Sequence, residues 1–206
     1  MLIKICGITN LEDARVAVEA GADALGFNFY RRSRRYIEPQ AARKIIEQLP
    51  AQVLSVGVFV NEAVPEDVAA IASEAGLGAV QLHGEESADY CRALKDFYVI
   101  KALRVSSDFS PEQVLEYECD AILLDAFSPK THGGTGEVFD WRVARRARRL
   151  VQKLFLAGGL SVENIAAAIA AVEPYAVDAC SCLENSPGRK SSALVREFIS
   201  AARAAC

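Results

Sequence analysis

The sequence predicts an α/β chain closed into a single-domain (βα)8 barrel of the TIM type, and three observations carry the prediction. Eight short, β-branched apolar runs alternate with eight amphipathic segments rich in alanine and glutamate. The runs are apolar on both faces, as the strands of a parallel sheet covered by helices must be. No G-x-G-x-x-G turn follows either of the first two runs, where an open dinucleotide-binding sheet would carry one. Barrels of this kind average about 250 residues and about 200 is near the minimum, so a 206-residue chain leaves room for one domain, 1–206, with little decoration.

Taken in order, the first strand reads LIKIC (2–6) and leads into NLEDARVAVEAG, with Asn10 as N-cap and Gly21 as the C-terminal stop. ADALGFNF (22–29) is followed by an arginine-rich loop and the helical EPQAARKIIEQL. VLSVGVFV (53–60) precedes VPEDVAAIASEAG, and GAVQLH (78–83) precedes GEESADYCRALKD. YVIKAL (98–103) precedes SPEQVLEYE, the shortest helical pattern. DAILLDA (120–126) is followed by the long polar stretch AFSPKTHGGTGEVFDW and then DWRVARRARRLV, whose arginines read as a wet helix face. KLFLAG (153–158) precedes SVENIAAAIAAV, and YAVDAC (175–180) precedes KSSALVREFISAARAA.

Composition excludes several classes. Net charge is −4 without an acidic or basic tail, which argues against a dedicated nucleic-acid binder. No apolar run reaches the ~18 residues of a membrane span. Met1 leads directly into a strand, and the six cysteines are scattered without a C-x-x-C pair, so they read as reduced thiols of a cytoplasmic protein. Cys180 and Cys182 could form half of a metal site, but no histidine or cysteine lies near in sequence to complete it, and no metal or cofactor is expected.

In such barrels the chemistry stands at the C-terminal ends of the strands. That address holds Cys6, Asn28, Gln81, His83, Asp125, Gly158 and Asp178. Cys6 and Asp125 are the titratable pair to test first: a thiol and a carboxylate across a barrel mouth can take a proton from carbon and give one to a leaving oxygen. For Cys6 the alternative is a small buried hydrophobe, and for Asp125 a turn or cap. A basic Cys6 needs a thiolate-stabilising neighbour, and Lys4, on the same face of the strand, is the one in reach. The segments LAGGLSVEN and DACSCLENSPGRKS, after the seventh and eighth strands, fit the phosphate-binding loops of this fold, against the alternative of ordinary glycine turns. YRRSRRYI places four arginines within five residues after the second strand, and its position at the mouth suits a carboxylate clamp better than a nucleic-acid patch.

Together, KICGIT, GFNFYRRSRRYI, VGVFVN, VQLHGEE, LLDAFSPKTHGGTGEVFDW, LAGGLSVENI and AVDACSCLENSPGRKS resemble the phosphoribosylanthranilate isomerase family of tryptophan biosynthesis, from Ile3 to about Lys190. The resemblance implies an Amadori rearrangement of N-(5-phosphoribosyl)anthranilate, without cofactor. It implies Asp125 as the acid on the furanose ring oxygen and Cys6 as the base on sugar C2. It implies Arg35 on the anthranilate carboxylate, and backbone around Gly159 and Ser181 on the phosphate. Gln81 and His83 match QLHG and line the pocket, with a neutral structural histidine as the alternative for His83. Gly158 and Asp178 complete the expected substrate set. The family usually has serine, serine, glycine where this chain has Cys180, Ser181, Cys182; a positive φ at the last position would strain the phosphate cradle, and the thiols suggest redox sensitivity. Expected partners are a small phosphosugar and neither nucleic acid nor membrane, with oligomeric state open between a monomer and association with other enzymes of the pathway. Two other readings stand beside this one: a different phosphosugar barrel, which would be expected to carry a carboxylate or lysine where Cys6 stands, and a phosphoribosyl-binding protein without turnover.

Overall fold

In the computed structural model, which describes residues 1–126 and 140–206, eight parallel strands pair in chain order and the last returns to the first. They are β1 (Leu2–Cys6), β2 (Ala24–Asn28), β3 (Leu54–Phe59), β4 (Ala79–Leu82), β5 (Tyr98–Val105), β6 (Ala121–Ala126), β7 (Leu154–Leu156) and β8 (Ala176–Ala179). Closure rests on β1 and β8, where Leu2 faces Ala176 and Lys4 faces Asp178.

The covering helices are α1 (Leu11–Ala20), α2 (Pro39–Ile46), α3 (Pro65–Ala75), α4 (Ala88–Ala93), α5 (Trp141–Arg148), α6 (Ile165–Val172) and α7 (Ser192–Ala204). Local chemistry sets their ends. Asn10 Oδ1 accepts from the Asp13 N–H and Gly21 takes φ +102° to stop α1, as the sequence predicts. Ser191 caps α7 through the Leu194 N–H.

Two elements differ from expectation. The fifth helical segment, Pro111–Glu116, is a 3-10 helix; Pro111 at its start and Tyr117 in extended backbone at its end leave too few residues for a stable α-helix. The stretch after β8 is not only loop: a 3-10 turn, Ser181–Leu183, leads into an antiparallel hairpin of β9 (Glu184–Ser186) and β10 (Arg189–Lys190). The hairpin is pinned to the start of α1, where Asp13 Oδ2 accepts from the Lys190 N–H and Thr9 Oγ1 donates to the Gly188 carbonyl.

The core has two layers. Ile3, Ile5, Leu25, Phe27, Leu82, Leu124 and Phe198 pack between sheet and helices. Ala24, Val56, Ala79, Ile100, Leu123, Phe155 and Ala176 fill the barrel itself. Small side chains dominate the inner layer, which leaves the upper barrel to polar groups.

Candidate active site

The lowest polar layer in the barrel is an ion pair. Lys4 Nζ lies 2.7 Å from Asp178 Oδ2, with both side chains buried. Burial opposes the charge on Lys4, yet the attraction of Asp178 and Cys6 outweighs it and holds the ammonium above its ordinary range. Burial dominates at Asp178 and pushes its carboxyl up to about 7 in spite of Lys4. The lysine is therefore the permanently charged partner. Asp178 Oδ1 is buried without a hydrogen-bond partner among the described residues.

One layer higher stand two thiols. The β1–β8 register runs Lys4 to Asp178 and Ile5 to Ala179, so the next residues along are Cys6 and Cys180. The neighbouring Cys180 first, then burial, lifts the Cys6 thiol well above its ordinary value, against the pull of Lys4. Cys6, together with Lys190 and Arg35, brings Cys180 down to about 7 although burial opposes it. Lys4 does pull the Cys6 thiol down, as the sequence predicts, but Cys180 and burial outweigh it.

Glycines make room for this layer. Gly26 stands beside Cys6 on β2, and a Cβ there would lie 2.6 Å from the Cys6 Sγ. Gly7 takes φ +78°, turning the chain away after Cys6, and a Cβ there would meet the Arg35 Cδ at 2.6 Å and the Cys180 Sγ at 2.9 Å.

Across the mouth, Asp125 ends β6 buried, and its Oδ2 lies 3.2 Å from His83 Nε2. Gln81 Nε2 is 2.8 Å from His83 Nδ1. An amide nitrogen only donates, so Nδ1 accepts and the Nε2–H is left to donate to Asp125 Oδ2. His83 is thus a buried link between Gln81 and Asp125. Gln81 Oε1 is a second buried acceptor without a partner among the described residues.

The arginine loop divides. Arg31 is exposed and lies over the Tyr36 ring at 5.4 Å, whereas Arg35 turns inward. Its Nε and Nη2 donate to Glu184 at 2.8 and 2.6 Å, so the two-pronged edge expected to clamp a carboxylate already holds one. Nη1 has no hydrogen-bond partner among the described residues. Glu184 also receives Lys190 Nζ at 3.0 Å, and Lys190 in turn donates to the Cys180 carbonyl at 3.0 Å and approaches its sulfur at 3.9 Å.

Gly158 and Gly159 take φ +84° and +64° at the end of β7, and the Gly159 carbonyl accepts from Asn164 Nδ2 at 2.8 Å. Ser181 opens the 3-10 turn after β8. Cys182 lies inside that turn and is absent from the positive-φ residues, so its Cβ brings no backbone strain of the kind feared from a lost glycine. Asn28 accepts from the Tyr30 N–H and shapes the loop start. Of the long loop after β6, residues 127–139 lie outside the described residues.

Sequence reasoning missed five residues. Glu184 and Lys190 reach the site only through the unforeseen hairpin. Lys101 and Glu86 form a buried pair at 2.7 Å that also binds the Gly84 carbonyl and the Gly84 and Asn61 N–H groups, fixing the backbone just beyond His83. Arg104, on a β5 two residues longer than expected, lies in register with Asp125 and pairs with Glu85. Period-two alternation places Lys101 outside and Arg104 inside the barrel, but without the strand's true length that signal could not be used for Arg104.

Fold and site together define a (βα)8-barrel enzyme with a thiol and a carboxylate facing one mouth. The family of N-(5'-phosphoribosyl)anthranilate (PRA) isomerases matches residues 3–201, and the chain belongs to it. The isomerase of Trichlorobacter lovleyi is 51% identical over 203 residues, 98% of each chain. The isomerase of Thermotoga neapolitana is 50% identical, again over 98% of each. The crystal structure of the Thermotoga maritima isomerase superposes with a TM-score of 0.93 at 47% identity, covering 99% of this chain and 100% of that one. A further isomerase structure, with reduced 1-(o-carboxyphenylamino)-1-deoxyribulose 5-phosphate, gives a TM-score of 0.89 at 46% identity.

Proposed function

We propose that this chain catalyses the Amadori rearrangement of N-(5'-phosphoribosyl)anthranilate to 1-(2-carboxyphenylamino)-1-deoxyribulose 5-phosphate, an aldose-ketose isomerisation in tryptophan biosynthesis. The observation that carries it is the placement of Cys6 and Asp125 at the C-terminal ends of β1 and β6 in a chain that matches the isomerase family over residues 3–201.

Asp125 donates its proton to the furanose ring oxygen, the ring opens, and the anilino nitrogen takes up the positive charge at C1 as a Schiff base. Cys6 then removes the proton from C2, and the electron pair moves toward C1 and nitrogen to give the enolamine that tautomerises to the ketone. His83 holds the acid's Oδ2 and Gln81 holds His83, so the acid is positioned by a chain of buried bonds rather than by solvent. The Lys4 ammonium favours the Cys6 thiolate, the form that takes up the C2 proton. The orphaned acceptors Gln81 Oε1 and Asp178 Oδ1 suit hydroxyl donors of the sugar, which would satisfy both. Arg35 receives the anthranilate carboxylate through Nη1, and the backbone around Gly158, Gly159 and Ser181 receives the phosphate. The six free cysteines suit a reducing cytoplasm.

The test is the decay of anthranilate-type fluorescence when the protein meets freshly made substrate. Asp125→Asn and Cys6→Ala should each slow it by about 10²–10⁴-fold, the usual worth of a positioned acid or base. Full turnover by both folded variants would remove them from the chemistry.

A further inference from the structure

We infer that Cys6 and Cys180 form an oxidisable dithiol inside the active site, and that a hydroperoxide converts them to a disulfide that removes the catalytic base. The inference rests on Cys6 being that base, and its test separates the two.

Geometry carries it. Cys6 and Cys180 follow Ile5 and Ala179, the last pair of the β1–β8 register, so their Cα atoms stand at about the 4.8 Å spacing of neighbouring strands, within the window a disulfide requires. Both point into the barrel, since they continue the face that Lys4 and Asp178 occupy two residues earlier. Cys182 lies two residues beyond Cys180, inside the 3-10 turn, and the residue that continues the register opposite Cys6 is Cys180. Read from the sequence, Cys180 and Cys182 are redox-sensitive thiols without a stated partner; the ends of two strands set Cys180 beside Cys6.

Electrostatics decide which sulfur reacts first. Cys180 is half-buried at the mouth, with Lys190 Nζ 3.9 Å from its sulfur and Arg35 close by, and it ionises near 7. Glu184 opposes this only in part, because Arg35 and Lys190 both engage its carboxylate. On the Cys6 side stand Lys4 and Asp178. The Cys180 thiolate attacks one oxygen of the hydroperoxide; the O–O bond breaks, the other oxygen leaves as alkoxide or hydroxide and takes up a proton, and Cys180 becomes a sulfenic acid. The Cys6 sulfur attacks that sulfur, the S–S bond forms, and the departing hydroxide combines with the Cys6 proton as water. Two electrons pass from the two thiols to the peroxide. Cys6 then has no lone thiolate to offer C2.

The experiment treats the full chain with hydrogen peroxide without substrate, then measures turnover and maps disulfides by peptide mass spectrometry, before and after dithiothreitol. The expected result is a Cys6–Cys180 linked peptide and at least tenfold loss of turnover, both reversed by dithiothreitol. Cys180→Ser, compared with its own untreated rate, forms no linked peptide and shows no dithiothreitol-reversible loss, while Cys182→Ser behaves as the parent. A Cys180–Cys182 link, or none, overturns the pairing. A Cys6–Cys180 link with turnover intact overturns the shut-off by removing Cys6 from the chemistry, a result that Cys6→Ala with full turnover would confirm independently.

Discussion

Gly26 shows how finely the Cys6 sulfur, the proposed base, is placed. It is the β2 residue beside Cys6, and an added Cβ would lie 2.6 Å from the Sγ and 3.1 Å from the Cys6 Cα, closer than side chains pack. Since the Cα belongs to a central strand, the sulfur is what must move. Displacing a reacting atom by about 1 Å costs roughly 10²-fold in rate. Gly26→Ala should therefore lower kcat by that order while KM changes far less, because the phosphate and carboxylate contacts proposed above lie on other elements. Steady-state kinetics with circular dichroism on the same sample checks it, and an unchanged kcat in a folded variant would show that Cys6 has slack. The sequence displayed Cys6 at a strand end, and Asp125 likewise, because their types and addresses sufficed. Gly26 gave no such signal: a glycine in a strand is informative only once its neighbour across the sheet is known. The same holds for Cys180, whose meaning comes from the sulfur opposite.

At the scale of elements, buried charge pairs explain why the loops hold still. Lys101 on β5 and Glu86 before α4 are both buried, and between them they bond the carbonyl and N–H of Gly84 and the N–H of Asn61. They tie the loops after β3 and β4 to β5, one residue beyond His83. Lys101→Met strands the Glu86 charge and removes the donor to Gly84, so unfolding free energy should fall by about 3–5 kcal/mol, as for other broken buried pairs. Urea unfolding measures this, and a change under about 1 kcal/mol, the worth of a surface pair, would contradict it. All eight strands were legible because each is a short apolar run between breakers, and seven of the eight helical segments followed from periodicity and caps. The hairpin Glu184–Lys190 was not, since ENSPGRK is polar and short, with nothing to mark it as paired. Yet it delivers Glu184 to Arg35 and Lys190 to Cys180. Arg35 turns inward, and the hairpin's Glu184 already takes the two-pronged edge that the sequence offered to a substrate carboxylate.

The whole molecule is closed by the seam between first and last strands, and the seam carries a group whose ionisation is linked to folding. Asp178 on β8 pairs with Lys4 on β1 inside the barrel, and burial raises its carboxyl from 3.8 to about 7. A raised carboxyl binds a proton in the folded state that the unfolded chain has already released. Between about 4 and 7 the folded form therefore holds more protons at this position, and stability from Asp178 declines as pH rises, reaching its full penalty above about 7. The slope from one such proton is at most about 1.4 kcal/mol per pH unit. Ordinary carboxylates paired on the surface act in the opposite direction, so the total curve does not isolate Asp178; comparison with Asp178→Asn does. The variant loses this titration, and if its unpaired Lys4 sheds a proton in the same window, its stability rises with pH. In either case the parent's unfolding free energy must decline more steeply from pH 4 to 7 than the variant's, as read from urea midpoints at matched slopes. Parallel curves would mean that Lys4 keeps Asp178 ionised throughout and that the seam is a fixed ion pair. A steeper parent curve would mean that the enzyme closes its barrel on a carboxyl that is still exchanging its proton near neutrality, directly beneath the thiols.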